Sequence, residues 1–107
     1  MTIKDLQPSN VWENFYQLTR VPRPSKHEEK VREFLLHWAK ERNIEAFTDK
    51  TGNVIMRVPA TPGYENKKGI VLQGHMDMVP QKNADTVHDF ENDPIETYFD
   101  GDWLKAK

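Results

Sequence analysis

The chain has 107 residues, of which 36% are hydrophobic and 30% charged, with 15 basic and 17 acidic side chains and no cysteine. This balance of charge, without a basic stripe, argues against a nucleic-acid partner, and no apolar run approaches the ~20 residues that cross a bilayer. Without cysteine, any metal must be held by His, Asp or Glu. The first residues lack the order of a secretory signal, so we expect a cytoplasmic protein.

The first predicted element is a short helix that begins after Pro8-Ser9-Asn10 and ends near Arg20. Its apolar residues recur at three- and four-residue spacing, and serine and asparagine before them are typical of a helix start. We expect Trp12 and Phe15 to lie in the core. Val21-Pro22-Arg23-Pro24 cannot continue the helix, because proline lacks an N–H and favours extended geometry in the residue before it. A rigid linker is therefore predicted.

A second, longer helix is predicted from Ser25 to about Arg42. Ser25 and Glu28 have the spacing of a capping box, in which each side chain accepts a hydrogen bond from the backbone N–H of the other. Asn43 is a suitable C-terminal stop. Between these ends the apolar residues recur at intervals of three and four, which predicts a helix with one face on the core. Those residues are Val31, Phe34, Leu35, Trp38 and Ala39.

Residues 44–48 and 53–58 are predicted to form a hairpin around the turn-rich spacer Asp49-Lys50-Thr51-Gly52. A polar loop with two prolines follows over residues 59–68. Ile70-Val71-Leu72 is then a continuous apolar run, typical of a strand that is covered on both faces in the middle of an α/β sheet. Two helices are few for covering such a strand, so we expect the chain to be part of a larger domain.

Residues 80–93 form a polar stretch that is long for a loop, and long loops are often functional. Residues 95–99 and 103–106 flank Asp100-Gly101-Asp102, which predicts a second hairpin. The order of elements predicts an α/β fold, a mixed-sheet sandwich that is incomplete in this chain. Asp100 and Asp102 are expected to serve the hairpin turn rather than a site.

His75 and Asp77 are the residues most suggestive of chemistry. In extended chain, side chains two apart point the same way, and ligands of open α/β sheets collect beyond the carboxyl ends of strands. A metal-binding histidine needs an acceptor for its other ring nitrogen, a role that suits Asp77, and Gly74 allows close backbone approach. On the residues alone two interpretations remain: a metal ligand, or a structural histidine bonded to a nearby acid.

Residues 71–82, with the sequence VLQGHMDMVPQK, resemble the metal-site strand of the M20 family of metallopeptidases. Within that family the chain is most similar to the Xaa-His dipeptidases, also called aminoacyl-histidine dipeptidases or bacterial carnosinases. Further segments fall in the order of that family, and together they span nearly the whole chain. They are residues 22–29, 52–54, 86–90, 93–95 and 100–106.

The resemblance implies a two-zinc enzyme, with cobalt or manganese as substitute metals, that hydrolyses dipeptides with C-terminal histidine. It implies that His75 is a metal ligand and that Asp77 is the acid that orients it. The family's bridging aspartate, general-base glutamate and remaining ligands lie beyond Lys107. We therefore expect residues 1–107 to be the N-terminal portion of the catalytic domain, without the remainder of that domain or the lid and dimerisation domain.

Alone, this stretch is expected to be inactive and to bind zinc weakly, because one ligand leaves three of zinc's usual four positions unfilled. The full-length protein is expected to take small peptides and to form a homodimer. Two alternatives stay open: an M20-type enzyme for tripeptides or acylated amino acids, and a non-catalytic α/β binding module.

His27 and His37 are expected at the surface. His88 is expected in a solvated loop, with a role near substrate or at a subunit contact as the alternative.

Overall fold

The computed structural model describes all residues, 1–107, and contains two α-helices and four short strands. Helices and strands together confirm the α/β class predicted from the sequence. The strands form two separate two-stranded antiparallel sheets, and the predicted mixed sheet is not formed within this chain. No helix combines the length and apolar character needed to cross a membrane. In chain order the elements are a 3-10 turn (Ile3–Asp5), α1 (Ser9–Thr19), α2 (Glu29–Glu41), β1 (Glu45–Thr48), β2 (Val54–Arg57), β3 (Thr97–Asp100) and β4 (Trp103–Ala106).

The chain divides into two compact units. One consists of Met1–Val31 and Asp77–Lys107 and holds α1 and the β3–β4 hairpin; the other consists of Arg32–Met76 and holds most of α2 and the β1–β2 hairpin. A chain of this length is expected to form one compact unit, whereas the contacts within it define two. The two hairpins do not pair with each other, so each sheet stays confined to its own unit.

Helix α1 confirms the first predicted helix, with its start at Ser9, two residues before the first residue of the apolar pattern, Val11. Pro8 is the N-cap and makes no side-chain capping bond, so the serine and asparagine that follow lie inside the first turn. At the other end the Arg23 guanidinium donates hydrogen bonds to the carbonyls of Leu18 and Val21. A cation on the last carbonyls of a helix also opposes the negative end of its dipole.

The predicted capping box at the start of α2 is wrong. The Ser25 hydroxyl donates to Asp77 and its N–H donates to the Met78 carbonyl (3.0 Å), while the Glu28 carboxylate accepts from the N–H of Lys26 (2.9 Å). Lys26 has a φ of 78°, outside helical geometry. Pairing with a distant segment thus replaces the local cap, and α2 begins four residues after Ser25.

The predicted stop at Asn43 is confirmed. Asn43 has a φ of 56°, and its N–H donates to the carbonyl of Lys40 (3.2 Å). The N–H of the next residue, Ile44, donates to the carbonyl of Ala39 (2.9 Å). These two bonds are the Schellman motif, which satisfies the last helical carbonyls and turns the chain into β1.

The core is thin. Val31 and Ala39, both on the predicted inner face of α2, are 1% and 0% exposed, and Ile3 and Pro24 are also buried. The remaining apolar residues of that face are half-buried: Phe34, Leu35 and Trp38. Trp12 is also half-buried and Phe15 is 42% exposed. The amphipathic pattern therefore predicts which side of α2 faces inward, but not how completely it is covered.

The β1–β2 hairpin confirms the prediction, and Asp49 organises its turn. One carboxylate oxygen of Asp49 accepts from the N–H groups of Thr51, Gly52 and Asn53 at 2.9–3.0 Å, and the other accepts from the Asn53 side chain at 2.8 Å. The Asn53 side-chain bond, aided by the backbone donors, lowers the pKa of Asp49. Gly52 has a φ of 99° and its carbonyl accepts from Arg32 Nε at 2.8 Å.

The strand predicted at Ile70-Val71-Leu72 is not formed, so this prediction is wrong for this structure. The three residues have no strand geometry and are 84%, 91% and 89% exposed. A strand needs a neighbouring strand edge for its N–H and C=O groups, and β1 and β2 pair only with each other. The polar loop predicted over residues 59–68 is confirmed as exposed irregular structure.

Replacing Gly52 by alanine is expected to lower the free energy of unfolding by about 1–3 kcal/mol, the cost of a strained backbone conformation. Its φ disfavours any side chain, and the new Cβ would lie 2.5 Å from Arg32 Nη2. Urea unfolding measures the change. Gly69→Ala is the control, because no atom lies within 4 Å of its Cβ position; equal stabilities of Gly52→Ala and Gly69→Ala would contradict the prediction.

Candidate functional site

Asp77, the predicted orienting acid, is half-buried and held by Ser25. The Ser25 hydroxyl lies 2.5 Å from Asp77 Oδ2 and 3.3 Å from the Met78 carbonyl oxygen. A hydroxyl has one proton to donate, and the shorter distance lies in the range of O–H···O⁻ bonds to an ionised acceptor. The carboxylate is therefore the principal acceptor of the serine proton.

Two main-chain bonds place Ser25 beside Asp77. The N–H of Ser25 donates to the Met78 carbonyl at 3.0 Å, and the N–H of Met78 donates to the Arg23 carbonyl at 2.9 Å. Pro24 and Met78 form the resulting parallel bridge. The proline linker predicted at this point is thus extended, as expected, and the segment around Asp77 is attached to it through backbone as well as side chain.

His75, the predicted metal ligand, lies in an irregular segment and is exposed. Both His75 and Asp77 take part in interactions within the structure. Gly74 was expected to permit a close approach of backbone. No heavy atom lies within 4 Å of the position a Cβ would take there, so the structure shows open space at this glycine.

The described residues contain no group of three or more histidine and acidic side chains able to hold a metal ion. His75 is a chemically suitable zinc ligand, since imidazole nitrogen is among the donors zinc prefers. A single imidazole, however, fits one coordination position out of four. A zinc site that included His75 would therefore need further donors.

The aspartates of the second hairpin serve the turn, as predicted. Asp100 ends β3 and Asp102 precedes β4, with Gly101 between them at a φ of 58°. The Asp100 carboxylate is 2.5 Å from Lys105 Nζ across the hairpin. Asp100 thus forms a cross-strand ion pair, and Asp102 lies in the turn beside a glycine in the left-handed region.

His27 and His37 are at the surface, as expected, whereas His88 is half-buried. His27 Nδ1 lies 3.1 Å from Glu91 Oε1, and the His37 ring lies 2.7 Å from its helical neighbour Glu41. In both pairs more than half of each side chain is exposed, so we expect these contacts to contribute little to the stability of the fold. His88, the histidine of the long polar loop, packs edge-on against Phe90 with ring centroids 5.2 Å apart.

Asp89 shapes the end of that loop. Its carboxylate accepts from the Asn92 side chain (2.8 Å) and from the N–H of Glu91 (3.0 Å), while its own N–H donates to Asp93 (2.8 Å). These donors, with the Asn92 side chain first, lower the pKa of Asp89. Lys30 Nζ fixes the loop to the first turn of α2 by donating to the Glu91 carbonyl at 2.7 Å.

No family model matches the chain. Its sequence is 50% identical over 105 residues to the cytosol non-specific dipeptidase of Escherichia coli strain K12, a match that covers 98% of this chain and 22% of that protein. Its structure matches the crystal structure of aminoacylhistidine dipeptidase from Vibrio alginolyticus with a TM-score of 0.95 and 51% identity, over 100% of this chain and 22% of the other. The resemblance to the aminoacylhistidine dipeptidases is confirmed.

The dipeptidase-like chain thus spans about a fifth of the length of the relatives it matches, 22% in each case. Its helices and antiparallel strands are those of a portion of a peptidase structure. Ser25 is the residue of this candidate site that the sequence did not reveal. Its spacing to Glu28 indicated a local cap, whereas its partner is 52 residues away.

The Asp89 carboxyl of this dipeptidase-like chain is expected to titrate below its ordinary value of 3.8. Because its pKa is lowered in the folded state, the loop contacts contribute stability above about pH 4 and lose it as the pH falls through the folded value. Carboxyl-carbon NMR across the acid range measures the midpoint. Asn92→Ala should raise it, Asn83→Ala should leave it unchanged, and an Asp89 midpoint insensitive to Asn92 would contradict the assignment.

Proposed function

We propose that the protein carrying these residues is a zinc-dependent dipeptidase that hydrolyses dipeptides with C-terminal histidine. The observation that supports this most is the match of the whole chain to the aminoacylhistidine dipeptidase structure, with a TM-score of 0.95 at 51% identity. At this identity the backbone and half of the side chains are shared. The proposal extends that likeness from the matched segment, 22% of the length of the relative, to the activity of the complete protein.

In this proposal His75 donates a ring nitrogen to one of two zinc ions, and Asp77 orients the ring. The exposed position of His75 suits a ligand that must be reached by a metal. The half-buried carboxylate of Asp77, held by Ser25, suits an acceptor that fixes a tautomer rather than a ligand that exchanges. Bound zinc would supply polarisation of the scissile carbonyl and a water that is acidic enough to deprotonate near neutral pH.

The remaining ligands and the general base must come from outside these residues, since the chain holds no group of three metal-ligating side chains. The 107 residues alone are therefore expected to show no peptidase activity and to bind zinc weakly, and isothermal titration calorimetry with zinc measures the affinity.

Cobalt and manganese are proposed as substitute metals. A cytoplasmic location and a homodimer of the complete protein belong to the same proposal, the location by likeness to a relative named as cytosolic.

The E. coli relative favours a second candidate, a dipeptidase with broader substrate range, because that protein is named non-specific. Rates on carnosine, other Xaa-His dipeptides, dipeptides without histidine, a tripeptide and an N-acetyl amino acid distinguish these possibilities. We expect the highest kcat/KM on Xaa-His dipeptides. Equal rates on all dipeptides would favour the broader enzyme, and cleavage of only the tripeptide or the acylated substrate would overturn the proposal.

In the protein expressed from the complete reading frame, His75→Ala is expected to lower the turnover of Xaa-His dipeptides more than about 100-fold. That figure is the upper end of the cost of losing a partner that only supports a ligand, and a direct ligand should exceed it. Zinc content by atomic emission should fall in parallel. His37→Ala is the matched control, because that exposed histidine pairs only along α2; unchanged turnover in His75→Ala would defeat the site assignment.

A further inference from the structure

Ser25 differs from the other serine of the chain in where its hydroxyl is directed. Ser9 lies in the exposed first turn of α1, where no side-chain capping bond is made. Ser25 donates to the carboxylate of Asp77, at 2.5 Å. We infer that Ser25 is a positioning residue that orients the Asp77 carboxylate toward the metal-binding imidazole, an inference that rests on the proposed function.

The hydroxyl is not needed to begin α2. The helix starts four residues later, and the Glu28 carboxylate of the expected capping box accepts from Lys26 instead. Nor is the hydroxyl needed to attach the segment around Asp77, because the bonds from Ser25 N–H to Met78 and from Met78 N–H to Arg23 are made by main chain. Its remaining contact of consequence is with the carboxylate.

A bond to one carboxylate oxygen restricts rotation of the Asp77 side chain. An ionised carboxylate offers about four acceptor sites on two oxygens, so the proton from Ser25 occupies part of that capacity at Oδ2 and leaves capacity for an imidazole N–H. Acids that orient metal-bound histidines are themselves commonly hydrogen-bonded, and removing such outer partners costs metal affinity as well as rate. Ser25 has the geometry of that supporting donor.

The test uses the protein from the complete reading frame and two readouts, kcat and KM on an Xaa-His dipeptide and the zinc dissociation constant from competition with a chromogenic chelator. Ser25→Ala is expected to lower kcat and to weaken zinc binding about tenfold each, the lower end of the range for outer partners, with KM little changed. Ser25→Thr keeps the hydroxyl and should restore both values. Ser9→Ala is the control and should change neither.

A double-mutant cycle separates action through Asp77 from a general effect on folding. In an Asp77→Ala background, Ser25→Ala should add almost nothing to the loss of zinc affinity, because the partner is already gone. Additive losses would overturn the inference, as would unchanged zinc affinity in Ser25→Ala or a loss of affinity that appears only together with a lower melting temperature of the metal-free protein.

The zinc readout also distinguishes this inference from the proposed function. If the wild-type protein binds zinc and cleaves no Xaa-His dipeptide, the substrate proposal fails while the chelator competition still tests Ser25. If the wild-type protein is active and Ser25→Ala keeps full activity and zinc affinity, the dipeptidase proposal stands and the role of Ser25 is refuted.

Discussion

A hydrogen bond between a serine hydroxyl and an aspartate carboxylate ties together two segments that are 52 residues apart. Bonds to charged groups contribute about 1.5–3 kcal/mol when their partners are shielded from water, and here the backbone bridge at Pro24 and Met78 reinforces the contact. The position of Asp77 depends on this connection, because the segment before it has no secondary structure of its own.

The connection in turn depends on the proline linker. Arg23 donates to the carbonyl of Leu18 in the last turn of α1 and to that of Val21 just beyond the helix. The prolines on either side of Arg23 keep the chain extended. Because the backbone is extended, the Arg23 carbonyl can accept from the N–H of Met78 and the Ser25 N–H can donate to the Met78 carbonyl. Helix termination, linker stiffness and placement of the acid are therefore consecutive steps of one arrangement. The first two follow from residue types that are visible in the sequence, whereas the placement of Asp77 depends on its contact with Ser25, 52 residues away.

Local patterns predicted most of the fold. The spacing of apolar residues indicated both helices, Asn43 indicated the end of α2, and turn residues indicated both hairpins, because each signal acts over a few residues. The errors lie where distant partners compete with local ones. Ser25 had the sequence of a cap but is bonded to Asp77, and the apolar run at 70–72 had the composition of a covered strand but has no strand beside it.

The candidate site was predictable to a similar degree. The His-x-Asp spacing and the resemblance to M20 peptidases nominated His75 and Asp77, and the structure adds how the acid is held. It could not be predicted that Lys26 adopts a left-handed conformation, which releases Ser25 from the helix. That conformation is uncommon for a lysine and depends on the surrounding contacts rather than on its own preference.

The exposed run Ile70-Val71-Leu72 has a practical consequence for anyone who handles these 107 residues. Removing each of its side chains from water is worth about 1.5–3 kcal/mol, and adjacent aliphatic residues without a charge among them are typical of segments that stack into intermolecular sheets. Expression of this stretch by itself therefore favours inclusion bodies and capture by holdase chaperones, and recovery in the supernatant should improve when a lysine replaces Val71.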